Sequence, residues 1–244
     1  MNIKNLYIIY YTTLFLGLSS QILFTVFAFI GPFSLFNFGF SFNQALLFDA
    51  ALALLFFLQH SIIVRRSVKD RLSNLIPEEL YSAFYSNTSA IALFIMILLW
   101  QPVTQTITSA DGIYYWIMRA LFVVSLAGFY WGVTSLGSFD PFGVKKIKRL
   151  IYKKEQKTIP MTVRGAYRWM RHPLYFFMLL LIWTYPDLTI DRLLFNVLFT
   201  VWIIIGTMME ERDLVSCFGD QYRNYKKKVP MIIPYRIPRS TDTF

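Results

Sequence analysis

The chain has 244 residues, 56% hydrophobic, 18% aromatic and only 16% charged, with a net charge of +10. A soluble domain carries about a quarter charged residues, so the composition points to an integral membrane protein and away from a soluble enzyme. The basic excess sits in loops beside apolar runs, where cytoplasmic loops face anionic lipid, and no nucleic-acid partner is expected.

Several runs reach the ~20 residues that cross a ~30 Å hydrocarbon core. The first, from about Tyr7 to Ile30, is too long for a signal peptide and shows no small-residue cleavage site, so it reads as a retained anchor. An uncharged loop, GPFSLFNFGFSFN, leads to a second span from about Gln44 to Val64, which meets Arg65, Arg66, Lys69 and Arg71. The third covers about Phe84 to Val103, and the fourth about Ile113 to Leu136. A strongly basic segment with Lys145, Lys146, Lys148, Arg149, Lys153, Lys154 and Lys157 follows. Basic and non-basic loops alternate, which predicts cytoplasmic N- and C-termini.

After a polar connector, two apolar helices are predicted, about Leu174 to Tyr185 and about Ile190 to Arg212, with a turn at Tyr185-Pro186-Asp187. The first is only ~18 Å long and cannot span upright. Leu214, Phe218, Tyr222, Tyr225 and Val229 then recur at helical spacing opposite Arg223, Lys226, Lys227 and Lys228, which suits a helix on the cytoplasmic membrane surface. The expected fold is an all-α polytopic membrane protein with five to six embedded helices, a C-terminal helical hairpin and a cytoplasmic amphipathic helix. It is read as one membrane domain: four spans over 1–137, a connector over 138–173, the hairpin over 174–212 and a cap over 213–244.

Ionisable groups at the edge of a bilayer are expensive and mark functional sites. RHPLY, Arg171 to Tyr175, opens the hairpin, and Glu210-Glu211 lie near its far end. If the turn centres on residue 186, the position opposite His172 is about 200; if on 191, it is about 210. In the first case Tyr167, Arg168 and Trp169 become the nearer neighbours of the glutamates. Gln59-His60-Ser61 and Phe139-Asp140 are predicted at the same cytoplasmic level. Asn196, Thr200 and Thr207 share a helix face with Glu211 and read first as packing and backbone-bonded groups. Asp49 and Arg119 are expected to be interfacial and receive no chemistry. A single cysteine excludes an internal disulfide, and with only His60 and His172 as histidines no metal is expected.

RGAYRWMRHPLY, EERDL and FGDQYRNYKKKVPMIIP resemble the C-terminal signature of membrane methyltransferases related to isoprenylcysteine carboxyl methyltransferase. Upstream, LFFLQHSIIVR, LLWQP and SFDPFG are similar to a narrower group, the methanethiol S-methyltransferases. The resemblance covers about residues 44 to 234. It implies S-adenosylmethionine as cofactor, bound by His172, Pro173, Tyr175 and Glu211, with Arg171, Tyr167, Trp169 and Glu210 as further positions. An aromatic face and a carboxylate suit its sulfonium, and an arginine suits its carboxylate. The implied reaction transfers methyl to the sulfur of a small thiol, methanethiol giving dimethyl sulfide. His60 is the expected proton acceptor, with Asp140 orienting it or replacing it as base. Phe139, Phe142 and Trp131 are expected to narrow the substrate pocket.

Three other readings share parts of this pattern. An isoprenylcysteine or lipid methyltransferase would have the same cofactor half. A sterol-reductase-like enzyme has a related C-terminal pattern and uses NADPH. A non-catalytic membrane protein of the nitric-oxide-metabolism type carries a similar QHS segment.

Overall fold

The computed structural model describes residues 2–136, 140–153 and 161–237, apart from the side chains of residues 66 and 67. Phe139 falls outside them. Among the described residues, five helices are long and apolar enough to cross a membrane: α1 (Ile3–Ile30), α2 (Phe42–Ile63), α4 (Glu78–Leu99), α5 (Gly112–Leu136) and α8 (Ile190–Phe218). Short helices α3 (Arg66–Leu72), α6 (Val144–Ile151), α7 (Pro173–Trp183) and α9 (Asp220–Lys228) connect or cap them. This is the expected mainly helical, polytopic membrane protein. It also holds a two-stranded ladder of β1 (Thr106–Ser109) and β2 (Asp187–Thr189). Large apolar side chains such as Phe15, Leu47 and Leu55 are exposed, as lipid-facing positions must be.

Two compact units make up the chain. One contains α1 to α4, α6 and residues 189–195. Local chemistry sets its helix ends: the Asn2 side chain accepts from Lys4 N, and the Gln44 side chain accepts the Ser41 N–H at 2.9 Å. At one end of α1, Leu6 packs with Ala83 of α4 and Ile147 of α6. At its other end, Phe24, Phe27, Trp100 and Phe195 form an aromatic cluster. Arg192 lies over the Phe27 and Phe195 rings and donates to the Phe27 and Ala28 carbonyls. Those carbonyls belong to the last turn of α1, where a cation complements the helix dipole.

The WQP turn that ends α4 ties two buried carboxylates. Gln101 N donates to Asp49 Oδ1 at 2.9 Å, and Trp100 Nε1 to Asp191 Oδ2 at 3.3 Å. Asp49 is 0% exposed. Its acceptor oxygen holds a backbone N–H that lies beyond the helix end and has no helical partner.

The DPFG segment is built for close approach. Asp140 accepts from Val144 N at 3.0 Å and Lys145 N at 2.7 Å, capping α6. Gly143 has φ 69°, and a Cβ there would overlap the Ser82 backbone of α4. Phe142 covers Gly17 of α1, where a Cβ would strike its ring. Phe142 is thus a packing residue between α1 and the start of α6.

The second unit contains β1, α5, a 3₁₀ turn (Gly165–Arg168), α7, most of α8, and α9. Its α5 buries a stripe of small residues, Ser125, Gly128, Gly132 and Ser135. Phe177 and Leu174 of α7 fill the space that Cβ atoms on Gly128 and Gly132 would occupy. Arg119 lies over the Tyr115 and Tyr185 rings at 5.0 and 5.8 Å.

Candidate functional site

The RGAYR segment docks the chain for its entry into α7. Ser135 Oγ accepts from Ala166 N at 3.0 Å, and Arg164 Nε donates to Ser135 O at 2.8 Å. Gly165, at φ 53°, sits so close to Ser135 that no Cβ fits. His172 then caps α7 with Pro173 at its first position, where a missing N–H costs nothing.

The hairpin follows the longer of the two expected registers. After α7 the chain bends at Thr184 and Pro186 before the short strand Asp187–Thr189, so the connection at Tyr185-Pro186-Asp187 is longer than a tight turn. Ala110 N bonds Pro186 O and Ser109 Oγ bonds Asp187. α8 begins only at Ile190, and it runs to Phe218, six residues past the expected Arg212 (218 − 212), before Gly219 at φ 57° breaks it. Glu210 and Glu211 consequently come level with RHPLY.

Glu211 is the hub. Its Oε1 receives Arg171 Nε at 2.6 Å, with His172 Nε2 at 3.3 Å and Tyr222 Oη at 3.4 Å; its Oε2 meets Lys226 Nζ at 2.8 Å. Glu211 and His172 are each 5% exposed. Burying such a carboxylate is tolerable only because two cations and several donors surround it. Arg171 also donates to the Lys226 and Val229 carbonyls. Backbone bonds from Arg171 N to Pro230 O at 2.8 Å and His172 N to Met231 O at 3.0 Å clasp VPM against RH.

Glu210 differs in environment. Its side chain is 44% exposed, its Oε2 accepts from Tyr175 Oη at 2.7 Å, and it lies 3.8 Å from His172 Nδ1. The Tyr175 and His172 rings stack at 5.5 Å and 16°, which makes a flat aromatic surface beside a half-exposed carboxylate. Burial lowers the His172 pKa, reinforced by Arg171 and opposed by the two glutamates. A carboxylate only accepts, so Nε2 carries the hydrogen shared with Glu211. Burial pushes the Tyr167, Tyr222 and Tyr225 hydroxyls above their ordinary range, with Glu210 adding to it at Tyr167.

The structure therefore brings Arg171, His172, Tyr175, Glu210 and Glu211 into one cluster. Pro173 starts α7, and Tyr167 is tied in through its carbonyl, which accepts from Tyr225 Oη at 2.6 Å. Trp169 ends the 3₁₀ turn and is exposed. The other two expected site residues belong to the first unit. His60 Nε2 pairs with Tyr85 Oη at 2.6 Å, and Asp140 is engaged in the α6 cap. Thr200 and Thr207 bond the carbonyls of Asn196 and Ile203 in their own helix.

Sequence reasoning missed Lys226 and Tyr222 as cluster members. Tyr222, Tyr225 and Val229 were expected to face lipid, but they pack on Met161, Val163, Leu214, Val215 and Phe218. A lysine four residues beyond a buried tyrosine carried the signal, masked by its place in a basic run.

A family model described as NnrU protein matches residues 49–233, which include every member of the cluster. The chain belongs to the NnrU family. Among its relatives, the methanethiol S-methyltransferase of Crocosphaera subtropica is 32% identical over 196 residues, covering 78% of this chain and 75% of that protein. That of Pseudomonas deceptionensis is 32% identical over 211 residues, covering 84% and 79%. No solved structure matches this NnrU-family chain. The resemblance expected from RHPLY, EERDL and the upstream motifs is borne out by these relatives.

Proposed function

We propose that the protein is an S-adenosylmethionine-dependent methyltransferase acting on the sulfur of a small thiol, methanethiol being the first substrate to test. The observation that carries this reading is the joining of RHPLY to Glu210-Glu211 in one ion cluster, in a chain similar to proteins named methanethiol S-methyltransferase.

The donor set fits the cofactor's chemistry. A half-exposed carboxylate, Glu210, stands beside the stacked Tyr175 and His172 rings, which suits a sulfonium and a flat base. The exposed Trp169, and Tyr167, whose hydroxyl feels the Glu210 charge, are the further aromatic groups for the cofactor. Pro173 fixes the start of α7, and the Arg171–Glu211 pair holds His172 in place while Lys226 closes the charge balance. The cofactor, when bound, would supply an electrophilic methyl group for transfer to the thiol sulfur.

The chain's residues orient the reactants and exclude water. The thiolate is the nucleophile, since a thiol attacks poorly near pH 7. His60 takes the thiol proton; Asp140, with both oxygens engaged at α6, is the weaker candidate. The alternation of basic and non-basic loops supports cytoplasmic termini, on the side where a soluble cofactor is supplied.

The test is calorimetric binding of S-adenosylmethionine to the purified protein in detergent, followed by headspace detection of dimethyl sulfide from cells fed methanethiol. Binding with dimethyl sulfide release is the expected result. Absence of binding would sink the methyltransferase reading, and binding without release would redirect it to a lipid substrate.

A further inference from the structure

Within the α2–α4 contact, His60 Nε2 and Tyr85 Oη lie 2.6 Å apart with ring centroids at 5.0 Å. Phe56 flanks the imidazole at 5.6 Å. On the same face of α4, Thr88 and Ser89 receive the Gln59 amide at 3.0 and 3.4 Å. Tyr85, Thr88 and Ser89 are three and four residues apart, so one helix face turns three hydroxyls toward Gln59 and His60. Hydroxyl and amide bonds of this kind join membrane helices, but an ionisable imidazole held between them is a functional candidate by default. Tyr85 carries no distinguishing motif, and only the folded contact singles it out.

We propose that Tyr85 is the positioning residue for His60 in thiol deprotonation. The inference rests on His60 being the proton acceptor. The thiol S–H bond breaks with its electron pair left on sulfur, and the proton passes to the imidazole. With Nε2–H donating to the Tyr85 oxygen, Nδ1 is the basic nitrogen, and the imidazolium that forms keeps the same bond. Tyr85 thus fixes the ring plane and, by accepting from Nε2–H, stabilises the imidazolium charge.

A thiol already ionised at the assay pH has no proton to give up. Full-length wild-type protein, Tyr85→Phe, His60→Gln and the double variant are compared in detergent, using ethanethiol and the more acidic trifluoroethanethiol. Tyr85→Phe should slow turnover of ethanethiol ~10-fold and of trifluoroethanethiol less than ~2-fold. In the His60→Gln background the same change should have no further effect. Thermal melting confirms that each variant is folded, and the phenylalanine keeps the ring's volume.

Equal losses with both thiols, or additive losses in the double variant, overturn the role of Tyr85. If His60→Gln slows both thiols equally or neither, His60 is not the proton acceptor and the proposal falls with it. If the wild type methylates neither thiol yet binds S-adenosylmethionine, the thiol reading itself fails and takes this inference with it.

Discussion

Trp183 Nε1 donates to Thr200 Oγ1 at 3.0 Å, and His172 meets Glu211 the same number of residues away along both arms, 11 (183 − 172; 211 − 200). The two arms of the hairpin thus run in constant register from ladder to ion cluster. The six residues that join the helices, 184–189, with the strand Asp187–Thr189 among them, set this register.

Glu211→Gln should be far more damaging to stability than Glu210→Gln. It removes the negative charge that Arg171 and Lys226 share, and breaking a buried pair costs about 3 kcal/mol or more. Glu210→Gln weakens one half-exposed bond to Tyr175, about 1 kcal/mol, while reducing S-adenosylmethionine affinity. Thermal melting and calorimetry on both variants separate the two effects. Equal melting temperatures would refute the division between buttress and cofactor carboxylate.

Acid should destabilise the protein through His172. Its folded pKa lies below the usual ~6.5 because of burial, so the unfolded chain binds the proton more readily. The stability from the neutral ring is complete above about pH 6.5 and is lost as pH falls toward the folded value. Melting temperature should drop between about pH 7 and 5, and His172→Gln should flatten that drop. An unchanged slope in the variant would assign the pH effect elsewhere.

Glycines on two helices give an internal contrast. A Cβ on Gly128 overlaps the Phe177 ring, whereas a Cβ on Gly206 meets nothing within 4 Å. Gly128→Ala should cost about 1–3 kcal/mol through overpacking. Gly206→Ala should be neutral or stabilise by about 0.5–1 kcal/mol, the helix-propensity gain. Detergent-solubilised melting curves decide; a harmless Gly128→Ala would mean that the α5–α7 contact is looser than described.

At the WQP turn, Asp49→Ala leaves the Gln101 N–H buried without its acceptor, a loss of about 1–3 kcal/mol. Asp49→Asn retains an acceptor oxygen and should lose less. Comparable melting temperatures for the two variants would show that this bond is not what keeps Asp49 in place.

Most of the fold was legible because membrane spans announce themselves by length and apolarity. α1, α2 and α5 start or end within a few residues of expectation, whereas α4 starts six residues earlier, at Glu78, since its first turn is polar. The ladder was not legible, because three- and four-residue strands leave no periodicity. In the candidate site, RHPLY and the glutamates were recognisable as motifs, but their register depended on that ladder. Lys226 and Tyr222 were hidden because an amphipathic face looks alike whether it covers lipid or protein. Tyr85 had no sequence signal, since an aromatic residue in an apolar helix is ordinary until its hydroxyl finds an imidazole.

Connecting segments usually tolerate insertions and deletions. The strand residues 187–189 should not. One residue gained or lost there slides the arms by ~3.3 Å, more than the 2.6 Å separating Arg171 from Glu211. Natural length variation among related proteins should therefore avoid this stretch and collect where chain is not counting out a distance.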